Sequence, residues 1–235
     1  MEADLHFWFD PVCPFAWMTS KWVRSVAAQR EYTVDWRFIS LRLINKDVDY
    51  DAHFPPEYEA GHTAGLKLLR VASRLRAEHG RDAVGPFYAA LGARIWDTDQ
   101  AVETRAGREL VEQVLLSLTM PTSLADALED TTWDASIQDE GDAALALTGK
   151  DVGTPILHFQ PPTGVAFFGP VISQLPSESE AVELWDHVIG LAGFAGFAEL
   201  KRSLRELPQL RALGVKEGEA GRQEDWHGGS RRRKK

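Results

Sequence analysis

Cys13 is the only cysteine in a chain of 235 residues, and the residues around it suit a reactive thiol. A short aromatic run, Leu5 to Phe9, reads as a buried strand closed by Asp10-Pro11. Cys13-Pro14 follows, then a helical pattern through Trp17, Trp22, Val23 and Val26. Proline is favoured at the first helical position, where its missing N–H is not needed. Cys13 is therefore expected at a helix N-terminus, where free backbone N–H groups and the helix dipole stabilise a thiolate. A thiolate there attacks disulfides and other electrophiles. The position three residues on, where a second redox thiol would stand, is Ala16, so no disulfide can close within the chain. Any disulfide at Cys13 must be mixed, with a small thiol or another protein.

Other side chains bear on that sulfur. Asp10 reads as a device for the loop and helix entry, and a carboxylate so near also raises a thiol's pKa. Thr154-Pro155 opens a returning strand, and the Thr154 hydroxyl is a candidate donor to the Cys13 thiolate. His158, four residues beyond Thr154, is a candidate proton donor facing a cleft, with a structural histidine as the plainer reading. The seven histidines show no ligand spacing with a carboxylate pair or with Cys13, so no metal is expected. Neither GxGxxG nor GxxxxGK[ST] occurs, so no nucleotide cofactor is expected.

The elements that must position these residues follow a simple order. Strand 5–9, the helix after it, and a second strand Val34 to Leu41 imply a right-handed parallel βαβ unit. A polar loop, Asn45 to Pro56, leads into helical patterns at Gly65 to His79, Val84 to Trp96, Thr104 to Ser117, Leu124 to Leu128 and Asp134 to Leu147. Helices in series without strands form a bundle of their own. Strands return at Gly153 to Phe159 and Val165 to Gly169, joined by Pro161-Pro162-Thr163-Gly164 at hairpin length. A helix from Ser177 to Leu191 begins with a capping box, Ser177 and Glu180, and its apolar face carries Trp185, Val188 and Ile189. A final helix is expected around Phe194 to Leu204. The order βαβ, helical insertion, ββα is that of an α/β thioredoxin-like fold interrupted by an all-helical domain. The expected division is 1–45 and 150–207 for the thioredoxin-like domain, 46–149 for the insertion and 208–235 for a polar, disordered tail. A cleft between the domains is the expected substrate site.

Composition excludes several classes. The apolar fraction of 44%, with 8 Trp and 11 Phe, is enough for a full core. The Trp8, Trp17 and Trp36 cluster reads as core, with Phe167 and Phe168 as an apolar cleft rim. No apolar run reaches membrane-spanning length and the acidic start lacks the features of a signal peptide, so no membrane partner is expected. A net charge of −9 argues against nucleic acid. The basic end, Arg231 to Lys235, hides a stronger asymmetry: 21 basic against 35 acidic side chains elsewhere, a net −14. One unpaired cysteine without an export signal points to the reducing cytoplasm.

Two stretches carry a resemblance. Phe7-Trp8-Phe9-Asp10-Pro11-Val12-Cys13-Pro14-Phe15-Ala16-Trp17-Met18-Thr19-Ser20 stands at the front. Asp151 to His158 and Gly164 to Val171 stand at the back. With them the chain resembles the DsbA-like thioredoxin-fold oxidoreductases, most closely the actinobacterial mycothiol-dependent reductase (nitroreductase) group, over most of residues 4–207. The resemblance implies Cys13 as nucleophile, a cis Pro155 beside it and Trp17 lining the cleft. Pro14, Phe15, Trp17, Thr154 and Pro155 together would bind the thiol or disulfide substrate. It implies a low-molecular-weight thiol, mycothiol or glutathione, as cosubstrate, in a monomer or homodimer. Where dithiol members have Cys-Pro-x-Cys, this chain has Cys-Pro-Phe-Ala, which leaves monothiol chemistry with an external thiol as resolving reductant. Kappa-type thiol transferases and chromene-carboxylate isomerases use the same fold with a bound thiol cofactor and are the alternative. A binding module without catalysis is the third reading; it requires an unperturbed thiol.

Overall fold

The computed structural model describes residues 3–54, 57–99, 107–149, 152–202, 204–215, 219 and 223–225. It is a mixed α/β structure of the DsbA-like thioredoxin type. The first strand, β1 (Leu5–Phe9), is followed by helix α1 (Pro14–Gln29) and strand β2 (Val34–Phe38), which pairs parallel to β1 with Phe7 opposite Trp36. Strands β3 (Ile156–Phe159) and β4 (Ala166–Phe168) complete the sheet in the order β2-β1-β3-β4, and both pairings involving β3 are antiparallel. Between β2 and β3 run the helices α2 (Leu41–Ile44), α3 (Tyr50–His53), α4 (Glu57–His79), α5 (Val84–Trp96), α6 (Arg108–Ser117) and α7 (Asp134–Thr148). Helix α8 (Glu178–Ala192) comes after the hairpin, and strands β5 (Leu204–Glu206) and β6 (Gln223–Asp225) form a separate two-stranded ribbon.

The central strands β1 and β3 are buried on both faces, which is why β1 reads as a nearly continuous apolar run. Leu5, Phe7 and Phe9 point into a core shared with Trp22 and Val26 of α1, Trp185 of α8, and Leu68, Leu69, Val111 and Val114 of the intervening helices. Sheet and inserted helices thus have one continuous core. The opposite face buries Trp8 with Ile39, Ala144 of α7 and Ile156. The Trp8 indole donates to the Glu140 carbonyl at 3.1 Å.

Several boundaries differ from expectation. β2 stops at Phe38 because Ser40 becomes the N-cap of α2, its hydroxyl accepting from the Leu43 N–H at 3.4 Å. The polar stretch 45–56 contains α3, capped by Asp49. α4 begins eight residues before Gly65, with Glu57 and Glu59 in its first turn where the helix dipole favours them. Residues 104–106 lie outside the described residues, and α6 starts at Arg108. The pattern at Leu124 to Leu128 is a 3₁₀ helix, Thr122–Glu129. The capping box at Ser177 and Glu180 is formed.

Among the described residues of the span Phe194 to Leu204, the expected helix is absent. Gly193 and Gly196 weaken any helix there, and Phe194 and Leu200 stand exposed with no core face to pack on. The tail expected from residue 208 is ordered at its start. Gln209 donates its N–H to the Ser173 carbonyl at 2.8 Å and Leu210 is buried. The basic end, Arg231 to Lys235, lies outside the described residues.

Candidate active site

Cys13 is the N-cap residue of α1, with extended backbone angles of φ −87° and ψ 111°, and Pro14 occupies the first helical position. The residues before it form a turn in which the Cys13 N–H donates to the Asp10 carbonyl at 3.0 Å. The Cys13 Sγ accepts from the Ala16 N–H at 3.4 Å, so the sulfur serves as the helix cap. It also donates to the Thr154 carbonyl at 3.3 Å, joining two residues 141 apart in the chain. The Thr154–Pro155 peptide bond is cis, and the Pro155 carbonyl accepts from the Gly169 N–H at 2.8 Å, which holds this segment against the hairpin.

The Thr154 hydroxyl does not reach the sulfur. It donates to the Trp8 carbonyl at 3.2 Å, and Cys13 meets the Thr154 carbonyl instead. The expected lowering of the thiol pKa is also reversed. Burial pushes Cys13 up to about 12, against the Ala16 and Phe15 N–H groups, which favour the thiolate, and with the Asp10 charge, which opposes it. Cys13 is only 7% exposed. A helix N-terminus stabilises an exposed thiolate; in a dry setting the loss of hydration outweighs two backbone donors.

Asp10 is fully buried and acts as a staple. Its Oδ1 accepts from the Val12 N–H at 3.0 Å and its Oδ2 from the Leu41 N–H at 2.8 Å, tying the Cys13 loop to the start of α2. Burial raises its carboxyl to about 7 despite those two bonds. Helix α4 passes so near that a Cβ at Gly65 would overlap the Asp10 carboxylate and the Val12 side chain. The Trp96 indole at the end of α5 donates to the Pro11 carbonyl at 3.0 Å, closing the loop from the other side.

Of the remaining expected site residues, Pro14 is half-buried and Phe15 is buried. Trp17 does not line an open cleft. Its ring is buried between α1 and α5, against Gly92 and edge-on to Tyr88, and its Nε1 donates to Asp97 at 3.2 Å. A Cβ at position 92 would overlap that ring, so the indole packs there only because the residue is glycine. His158 is structural: it is buried, and its Nε2 lies 3.0 Å from the Gly164 carbonyl of the hairpin. Phe168 is exposed, whereas Phe167 is half-buried against Phe197. Trp8, Trp17 and Trp36 are all core residues.

Sequence reasoning missed Gly65 and Trp96 as supports of the Cys13 loop, and Gly92 as the place where the Trp17 ring packs. A signal was present, since a glycine inside a helical pattern usually has a packing reason. Among the described residues no group of three or more His, Cys, Asp or Glu side chains could hold a metal ion. No helix among them is long and apolar enough to cross a membrane.

Comparison with known proteins places this geometry. Residues 12–202 match the model of the family described as Rv2466c-like, mycothiol-dependent nitroreductase Rv2466c. The uncharacterized protein Rv2286c of Mycobacterium tuberculosis is 32% identical over 201 residues, 85% of this chain and 82% of that protein. Among solved structures, the probable DsbA oxidoreductase SCO1869 of Streptomyces coelicolor has a TM-score of 0.52 at 12% identity, covering 89% of this chain and 98% of that one. The cytosolic disulfide reductase DsbM of Pseudomonas aeruginosa has a TM-score of 0.51 at 14% identity, covering 80% and 99%. The structural likenesses bear on the fold alone.

Proposed function

The chain belongs to the Rv2466c-like family of mycothiol-dependent nitroreductases, and we propose that it is a thiol-dependent oxidoreductase working by a monothiol mechanism with Cys13 as its nucleophile. The observation that carries this reading is the placement of the only sulfhydryl. Cys13 Sγ caps α1 through the Ala16 N–H and meets the Thr154 carbonyl where the returning strand begins. Two remote segments of the chain converge on one sulfur, and Ala16 excludes an internal partner.

The chemistry is thiol–disulfide exchange. The Cys13 thiolate attacks one sulfur of a disulfide, forming a mixed disulfide and expelling the other half as a thiolate, which takes up the proton that Cys13 lost. An external thiol then attacks the mixed disulfide and restores Cys13. A low-molecular-weight thiol of the mycothiol kind fits both the family's description and the absence of a resolving cysteine. Pro14, Phe15, Thr154 and Pro155 make up the thiol-binding set in this reading. Trp17 supports it from beneath, as a buried ring rather than a wall of the cleft. We assign the thioredoxin-like domain to 1–45 and 150–207 and the inserted domain to 46–149. A reducing, cytoplasmic setting suits a chain with one unpaired thiol.

The test is intact-mass analysis after incubation with oxidised mycothiol, with glutathione disulfide alongside. A single adduct at Cys13, removed by free thiol, is the expected result, and the faster of the two disulfides identifies the cosubstrate. A folded protein that takes up neither overturns the monothiol reading.

A further inference from the structure

Away from Cys13, α4 and α7 are cross-linked by Arg70 to Asp134, Ser73 to Ser136 and Arg76 to Glu140. Beside the last turns of α4 a cavity of about 340 Å³ opens to solvent. Trp133, the residue before α7, lines it together with Ser73, Ser136, Ala77, Arg76 and Arg81. Its size is at the small end for pockets that hold organic ligands. No carboxylate, imidazole or thiol stands in its wall, so the cavity is equipped to bind a molecule rather than to transform it. Gly65, where α4 meets the Cys13 loop, precedes Ala77 by about 18 Å along the helix axis, so the cavity is separate from the thiol.

The polar groups around the cavity are not equally free. Ser136 donates its hydroxyl to the Trp133 carbonyl at 2.9 Å, and its oxygen lies 3.0 Å from that of Ser73. Both hydroxyls are therefore engaged with the protein. The Arg76 guanidinium is held by Glu140 and lies over the Phe38 ring, 4.2 Å from its centroid. Arg81 differs. Its side chain is 58% exposed and makes one hydrogen bond among the described residues, from Nη1 to Asp35, so most of its donors face outward without a protein partner.

These paired groups leave one cation over. Arg37 and Arg81 both bond the same Asp35 oxygen, and Glu140 neutralises Arg76. His6, beside Asp35, adds no charge near neutral pH, because burial and the Arg37 charge lower its pKa to about 4. Three guanidiniums thus share two carboxylates, which suits a monoanion better than a doubly charged phosphate. The Trp133 indole offers a flat aromatic surface, and Ala77 and Gly80 add no bulk beside it. We propose that this cavity binds a small aromatic carboxylate, with its ring against the Trp133 indole and its carboxylate paired to Arg81.

The experiment is a titration of the isotope-labelled protein with benzoate, followed by NMR at the Trp133 indole N–H. That resonance is assigned by its loss in Trp133→Phe. A saturable shift with a Kd on the order of 1 mM is the expected result. Acetate lacks the ring and benzamide lacks the charge, so each should bind about tenfold more weakly. Absence of a saturable shift with benzoate overturns the site. Benzamide binding as tightly as benzoate overturns the pairing to Arg81, and acetate binding as tightly overturns the aromatic class.

Two substitutions at exposed positions, where the fold should tolerate them, locate the ligand. Ala77→Leu fills the cavity, and Arg81→Gln removes the free cation while keeping a polar side chain. Each should raise the benzoate Kd about tenfold, and an unchanged Kd in either variant overturns the assignment. Blocking Cys13 with iodoacetamide separates this cavity from the thiol. The benzoate Kd should be the same in the blocked and the free protein. Loss of binding on blocking places benzoate at Cys13 and overturns the second site. The monothiol reading stands or falls on mixed-disulfide formation, which none of these titrations measures.

Discussion

Gly65 in the middle of α4 lies directly against the carboxylate of Asp10, with no room for even a methyl group between them. A glycine inside a helix costs about 1 kcal/mol relative to alanine, so helix propensity alone favours Gly65→Ala. The contact reverses that preference. The added methyl must displace either α4 or the loop that carries Cys13, and overpacking of this kind costs roughly 1–3 kcal/mol. We expect Gly65→Ala to lower the urea midpoint and to change the alkylation rate of Cys13. Gly61→Ala, four residues earlier with nothing near its Cβ, should be neutral or stabilising.

Cys13→Ser should abolish mixed-disulfide formation and reductive turnover while leaving the fold intact. A serine hydroxyl can make the same two hydrogen bonds, to the Ala16 N–H and the Thr154 carbonyl. The expected stability change is within about 1 kcal/mol, measured by thermal unfolding beside turnover. Appreciable turnover in the serine variant would favour the transferase or isomerase chemistry, in which a bound thiol is the reactant.

His62 should make the fold acid-sensitive. Burial lowers its folded pKa to about 4 from an ordinary 6.5. The neutral form is therefore preferred in the folded state, and its stabilisation is present above pH 6.5 and lost as pH falls toward 4. Asp10 works in the opposite direction. Its folded pKa of about 7 exceeds the ordinary 3.8, so its contribution is full below pH 3.8 and declines as pH rises through 7. Because the Asp10 gain offsets the His62 loss over this range, the test is the difference between wild type and His62→Phe in urea denaturation from pH 4 to 8. The variant should gain stability relative to wild type as pH falls from 6.5 toward 4, and a difference that stays constant would contradict the assignment.

Trp96→Phe removes the indole N–H from the Pro11 carbonyl while keeping most of the buried ring. An acceptor left without its partner in a buried setting costs about 1–3 kcal/mol. We expect a loss in that range by denaturant titration, together with faster alkylation of Cys13 as the loop loosens.

Phe194 and Leu200 are large apolar residues that make no core contact, at 69% and 84% exposed. Phe194→Ser and Leu200→Ser should each change stability by less than about 0.5 kcal/mol. A larger loss in thermal unfolding would show that this segment packs more closely than its exposure indicates.

Much of this protein could be read from local pattern. The Cys13-Pro14 helix start, the Ser177 and Glu180 capping box and the Pro161 to Gly164 hairpin each depend on residues within a few positions of one another. The parallel βαβ unit follows from an apolar strand, a helix and a second strand in sequence. Pattern failed at 194–202, where helical spacing was present but Phe194 and Leu200 stand exposed with no core to pack on.

What only the tertiary structure decided is the state of the sulfur. The sequence by itself determined that Cys13 would sit at a helix N-terminus and that no second thiol would face it. Whether that position makes a thiolate depends on hydration, which is set by distant segments: Thr154 of the returning strand, 141 residues away, meets the sulfur, and Gly65 and Trp96 of the inserted helices close on the loop before it. The backbone donors of α1 are local and legible. The burial that outweighs them comes from distant segments, and no spacing in the chain records it.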